Sequence, residues 1–208
     1  MELYFNQNNE MDVKKINNEV QVIDFINAIR DFLKKNPLDC FNCKDNCCSR
    51  GWNIELDIVF YNRLIDEDIP YLENYRGEVN SIFEINSLNR PVFKDSTCFF
   101  LNKKGKCRIY EKRPFICRGY TCYQEAENYK ILRDTILDSL NLTFYIKLLA
   151  EKENKTVSKI AFNKFEIKQY KLLPFKRKDY SIKILNLIEG IKPILTNNKY
   201  KELENLFE

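Results

Sequence analysis

The stretch "DCFNCKDNCCSRGW", Asp39–Trp52, places Cys40, Cys43, Cys47 and Cys48 within nine positions, the last two adjacent. Thiols this dense are bridges, metal ligands or nucleophiles, and each reading implies a different protein. The rest of the chain discriminates among them.

With 208 residues the chain is long enough to bury a core, so it does not need cross-links merely to stay folded. Its 15 Phe and 12 Tyr argue against disorder, and only 5 Gly and 6 Pro favour helices over tight hairpins. The formal charge of +4 comes from 34 basic and 30 acidic side chains. That near balance lacks the clustered excess of a nucleic-acid binder, so no nucleic-acid partner is expected. "MELYFNQNNEMDVKK" has no apolar run after a basic start, and no stretch approaches the ~18 apolar residues of a membrane helix. The expectation is a cytoplasmic protein without a membrane partner. In a reducing compartment, cysteines bind metal more often than they pair.

The sequence contains no histidine. Ser-His and Cys-His dyads and the HExxH zinc site are therefore excluded. The glycines, at 51, 77, 105, 119 and 190, cannot build GxGxxG or a Walker loop. A CxxxCxxC arrangement is also absent; the order here is C-x2-C-x3-C-C.

The periodicity of "INNEVQVIDFINAIRDFLKK" predicts a helix over 16–35, with Val20, Ile23, Ile26, Phe32 and Leu33 near helical spacing. A second helix is expected after Asp57, an N-cap residue before an apolar run. Residues 79–86 alternate as a short strand. Cys98–Leu101 and Cys107–Tyr110 flank "NKKGK" as a short hairpin turning near Gly105, and Pro114 fixes a bend before Cys117. A long helix without Gly or Pro follows over 123–153, and two or three more are expected in 156–208. The lysine-rich run 164–178 reads as a solvated face. The resulting expectation is a mainly α protein, one small helical domain built around a cysteine-rich irregular or short-hairpin metal site. It divides into an N-terminal helix (1–36), a cysteine-cluster region (37–125) and a C-terminal helical region packing on it (126–208).

The two-residue gap between Cys40 and Cys43 lets both sulfurs turn toward one atom, and Cys47 can join them. Neighbouring side chains point in different directions, so Cys47 and Cys48 serve different destinations. The second group, Cys98, Cys107, Cys117 and Cys122, has wider gaps of nine, ten and five positions. Four thiolates on Zn²⁺ or a [4Fe–4S]²⁺ cluster leave a net charge of about −2. Arg113 and Arg118 flank Cys117 and are candidates to offset it, whereas Lys103, Lys104 and Lys106 read as exposed hairpin-tip residues. Trp52 is a candidate to cover the apolar side of the site. An all-sulfur ligand set admits zinc or iron–sulfur. A single CxxC pair in an irregular set of eight, among Phe99, Phe100 and Tyr110, favours an iron–sulfur cluster, with zinc as the alternative.

"CFNCKDNCC" (40–48), "CFFL" (98–101), "CRIY" (107–110) and "RPFICR" (113–118), in this order, resemble the YkgJ-like CxxCxxCC family of zinc- or iron-chelating domains. The resemblance implies an eight-cysteine metal site; seven cysteines fall on its motifs, and Cys122 follows close behind. The gap before Cys47-Cys48 is one residue longer than the family name states. More narrowly, "NCCSRGWNIELD" (46–57) is similar to the Cys-Cys-x-Gly-Trp segment of flagellin lysine-N-methylase relatives, with one extra residue before Gly51. That likeness implies an iron–sulfur cluster, lysine methylation with S-adenosylmethionine, and a flagellin-like protein substrate. No S-adenosylmethionine motif accompanies it. The readings that follow are an enzyme with Arg118 and Tyr120 facing a substrate, a zinc-stapled interaction module, or a metal chelator.

Overall fold

A computed structural model describes residues 1–38, 54–66, 83–86, 91–93, 98–153, 161–162, 165–166, 172–174 and 176–207. The chain opens with a hairpin that the sequence reading did not anticipate, β1 (Leu3–Phe5) against β2 (Met11–Val13). Its loop is chained by Asn6, whose side-chain oxygen accepts from the backbone N–H groups of Asn8 and Glu10, and Asn9 takes φ 59°. Short polar side chains tolerate that left-handed conformation because they bond their own backbone.

Helix α1 spans Val22–Lys35. It buries Val22, Phe25, Ile26, Ile29 and Phe32, a stripe at helical spacing. It starts six residues later than the periodicity predicted. The missing turns are used elsewhere: Ile16 N–H donates to Leu206 O, Val22 N–H to Ile182 O, and Val20 O accepts from Ile184 N–H. A backbone group paired with a distant segment cannot also close a helical turn.

Asp57 caps α2 (Ile58–Ile65), as its position predicted, accepting from Phe60 N–H at 2.9 Å. The expected strand at 79–86 is seen as β3 (Phe83–Ile85), paired antiparallel with β4 (Pro91–Phe93); residues 79–82 lie outside the described set. The expected hairpin at 98–110 is present in short form, an antiparallel bridge of Leu101 with Cys107 that closes a tight turn. Gly105 supplies φ +73° and Asn102 Oδ1 accepts from the N–H groups of Lys104 and Lys106. Nothing crowds a Cβ at Gly105, so glycine is required there for its φ alone. Past Arg108 the chain winds into a 3-10 turn, Tyr110–Lys112, and Pro114 leads into the five-residue α3, Phe115–Gly119.

The long helix α4 spans Glu127–Glu153 and starts after Tyr123 for the same reason α1 starts late. Met11 N–H donates to Gln124 O, and Ala126 N–H to Met11 O, so 124–126 run extended beside β2. Two-residue strands β5 (Ala161–Phe162) and β6 (Phe165–Glu166) pair beyond it. Then come α5 (Ile184–Ile191) and α6 (Asn197–Glu204), the helices expected in the tail. Of the lysine-rich run, Lys176 and Lys178 are described, and both are exposed. The core gathers on α4: Tyr129, Leu132, Ile136, Leu140 and Phe144 meet Phe25 and Phe60 from α1 and α2 and Leu187 from α5, all buried. The protein is a small mainly α domain, as the composition and periodicity implied. No helix of the described residues is long and apolar enough to cross a membrane.

Candidate metal centre

Cys98, Cys107 and Cys117 are half-buried and Cys122 is exposed. Cys98 O accepts from Leu101 N–H at 3.0 Å, and Cys98 and Cys107 pack against the main core beside Phe99. Phe100, buried beneath them, meets Phe60 and Phe93 edge-on, with ring centroids 6.0 and 5.9 Å away. Cys117 rides on α3 and Cys122 follows it at the approach to α4. Cys40, Cys43, Cys47, Cys48 and Trp52 lie outside the described residues. Among the described residues, no three Cys, Asp or Glu side chains gather to hold a metal.

The flanks of the two cysteine segments meet. Tyr123, next to Cys122, donates its hydroxyl to Asn36 O at 3.0 Å, where α1 ends four positions before Cys40. At the other end, Glu55 bridges Val92, and Phe93 N–H donates to Ile54 O at 3.3 Å. Asn36 and Ile54, on either side of the segment carrying the first four cysteines, therefore lie against Tyr123 and Phe93, on either side of the second group.

Asp57 adds a third tie. Its buried carboxylate caps α2 and also accepts from Phe115 N–H at 2.8 Å, at the start of the helix bearing Cys117. The Tyr180 hydroxyl donates to both its oxygens, at 3.1 and 2.9 Å. Burial pushes the Asp57 carboxyl above its usual range, against the bonds from Phe115, Phe60 and Tyr180. The sequence showed the cap but neither of the distant partners. On the far side of α3, the buried Tyr129 donates its hydroxyl to Gly119 O at 2.6 Å, and a Glu125–Arg133 ion pair, mostly shielded from water, closes the base of α4.

Arg113 and Arg118, expected beside Cys117, take distinct places. Arg113 lies 3.8 Å over the Tyr110 ring and donates Nε–H to Tyr110 O. Arg118 is half-buried, with its guanidinium 5.8 Å from the Tyr180 ring centroid. Arg63 of α2 lies 5.4 Å from the same ring. Burial, followed by the nearby charges of Arg63 and Arg113, pulls the Arg118 guanidinium below its usual range. Lys103, Lys104 and Lys106 are exposed, as read from the sequence. Tyr120 is 37% exposed.

The fold is a small helical domain in which the described residues flanking the two cysteine groups lie against one another. A family model, CxxCxxCC, described as "Putative zinc- or iron-chelating domain", matches residues 39–135, a little under half of the chain. The match takes in all eight cysteines and supports the resemblance read from the motifs, and with it zinc or iron chelation. No curated protein and no solved structure matches the chain, and the likeness to flagellin lysine-N-methylase relatives gains no support.

Proposed function

We propose that the protein binds a cysteine-ligated metal centre shared between residues 40–48 and 98–122, and that the centre is a [4Fe–4S] cluster. The observation that carries the reading is the double pinning of the segment flanks, Tyr123 to Asn36 and Phe93 to Ile54. Two groups of soft ligands far apart in sequence chelate together only if the fold holds their segments side by side. The family description of zinc or iron chelation agrees with the ligand chemistry. The preference for iron–sulfur rests on the irregular spacing and the aromatic wall of Phe99 and Phe100 beside Cys98.

Protein lysine N-methylation is the activity such a centre would serve here. It rests on the likeness at 46–57 alone, and a calorimetric titration with S-adenosylmethionine tests it. For the centre itself, anaerobic purification with metal analysis and an absorption spectrum is decisive. A brown protein with about four irons per chain is expected. A colourless protein holding zinc alone would overturn the cluster and favour a structural zinc module. Cys117→Ser and Cys43→Ser should each lower metal content; unchanged content in both would remove the split site.

A further inference from the structure

We infer that Arg63, Arg113 and Arg118 form a binding site for a small oxyanion, a phosphate or carboxylate group, on the face of the domain where α2, α3 and Tyr180 meet. The first argument is convergence. Arg63 and Arg118 come from different helices and both place their guanidinium against the ring of Tyr180, at 5.4 and 5.8 Å. Arg113 stands just ahead of Pro114 and α3, over the Tyr110 ring, and brings a third guanidinium to the segment that carries Arg118. Three like charges brought together in a half-buried setting repel one another, and such an arrangement is retained where a counter-charge is bound.

The second argument is that no described residue supplies that counter-charge. Among the described residues no carboxylate pairs with any of the three. The Asp57 carboxylate is filled by Phe60 N–H, Phe115 N–H and the Tyr180 hydroxyl. Asp66, one turn along α2 from Arg63, pairs with Lys178 at 2.6 Å. Asp179 pairs with Arg177 at 3.1 Å and accepts from Ser181 N–H. Glu111 is near enough to act on Arg118 but is exposed, one carboxylate against three guanidinium groups.

The third is donor count. Arg63 uses Nε–H on Lys178 O, and Arg113 uses Nε–H on Tyr110 O, leaving their terminal nitrogens as a fork. Arg118 makes no hydrogen bond to a described residue. Both rings hold the guanidinium planes in place, which limits the side-chain entropy lost on binding. Adjacent residues on a helix point about 100° apart, so Arg118 is directed away from Cys117 even though they are neighbours. The anion site thus faces a different side of α3 from the Cys117 thiol. Planar forks of this kind take carboxylate and phosphate oxygens bidentately.

The test is calorimetric titration of the full-length, metal-loaded chain at low salt, with inorganic phosphate in one arm and succinate in the other. Saturable binding in at least one arm is expected, and the preferred arm identifies the source of the oxyanion. Affinity should fall roughly tenfold or more in Arg118→Gln and in Arg63→Gln, with metal content unchanged, and should hold in Lys103→Gln. If Arg118→Gln does not fold, Arg63→Gln decides, because it lies on α2 outside both cysteine segments. No saturable binding in either arm would overturn the site. So would binding that survives both variants, since the anion would then sit on the metal. Loss of metal in step with loss of anion binding in Arg63→Gln would also overturn it, assigning the charges to the thiolates.

Discussion

At Asp57 one buried carboxylate holds the starts of two helices and a hydroxyl from a segment 123 positions away. Removing it strands three donors. Asp57→Ala should therefore lower the unfolding free energy by about 3 kcal/mol, roughly 1 from the lost cap and 1 or more from each orphaned buried donor, measured by urea denaturation. The pH dependence follows from burial, which raises the folded carboxyl above its ordinary 3.8. For an acid raised in the folded state, its contribution is full below the unfolded value and is lost as pH rises through the folded one. The stability advantage of the wild type over Asp57→Asn should thus shrink as pH climbs out of the acid range. An advantage that grows over that interval would mean the three hydrogen bonds outweigh burial. The cap was legible, because Asp before an apolar run is a local signal. Phe115 and Tyr180 were not, since nothing in the sequence near Asp57 refers to them.

Elements show the same division. The interior of α4 was legible from its apolar spacing and its lack of Gly and Pro, while its first turn was not, because Met11 claims the backbone of 124 and 126. Just ahead of that turn, Glu125 and Arg133 form an ion pair with side chains only 9% and 11% exposed. Breaking it leaves a shielded charge alone, so Arg133→Met should cost about 3–5 kcal/mol. The double variant Glu125→Gln with Arg133→Met should recover most of that loss in thermal denaturation. A double variant as unstable as the single one would show that the arginine acts by packing, through Asp134 and the Tyr129 ring, rather than by charge.

For the whole molecule, the ties at Asn36, Ile54 and Asp57 connect the proposed centre to α1, α2, α3 and β4 at once. Metal bound there should stabilise the domain as a unit, because a ligand that binds only the folded state adds its binding free energy to stability. Loading should raise the Tm of a single cooperative transition, and a chelator should reverse the shift. A Tm that does not move on loading would place the metal outside the cooperative core.

The sequence by itself determined the chemistry on offer: eight thiols, no imidazole, no phosphate loop, and apolar periodicity for a helical domain. These are properties of residue type and short-range spacing, which one dimension carries in full. The tertiary structure alone decided which segments lie side by side. It let distant backbone claim the first turns of α1 and α4, gave Asp57 its partners from α3 and from Tyr180, and gathered Arg63 and Arg118 on the ring of Tyr180. Those pairings satisfy buried polar groups and juxtapose charges across long sequence separations, and no local pattern records them.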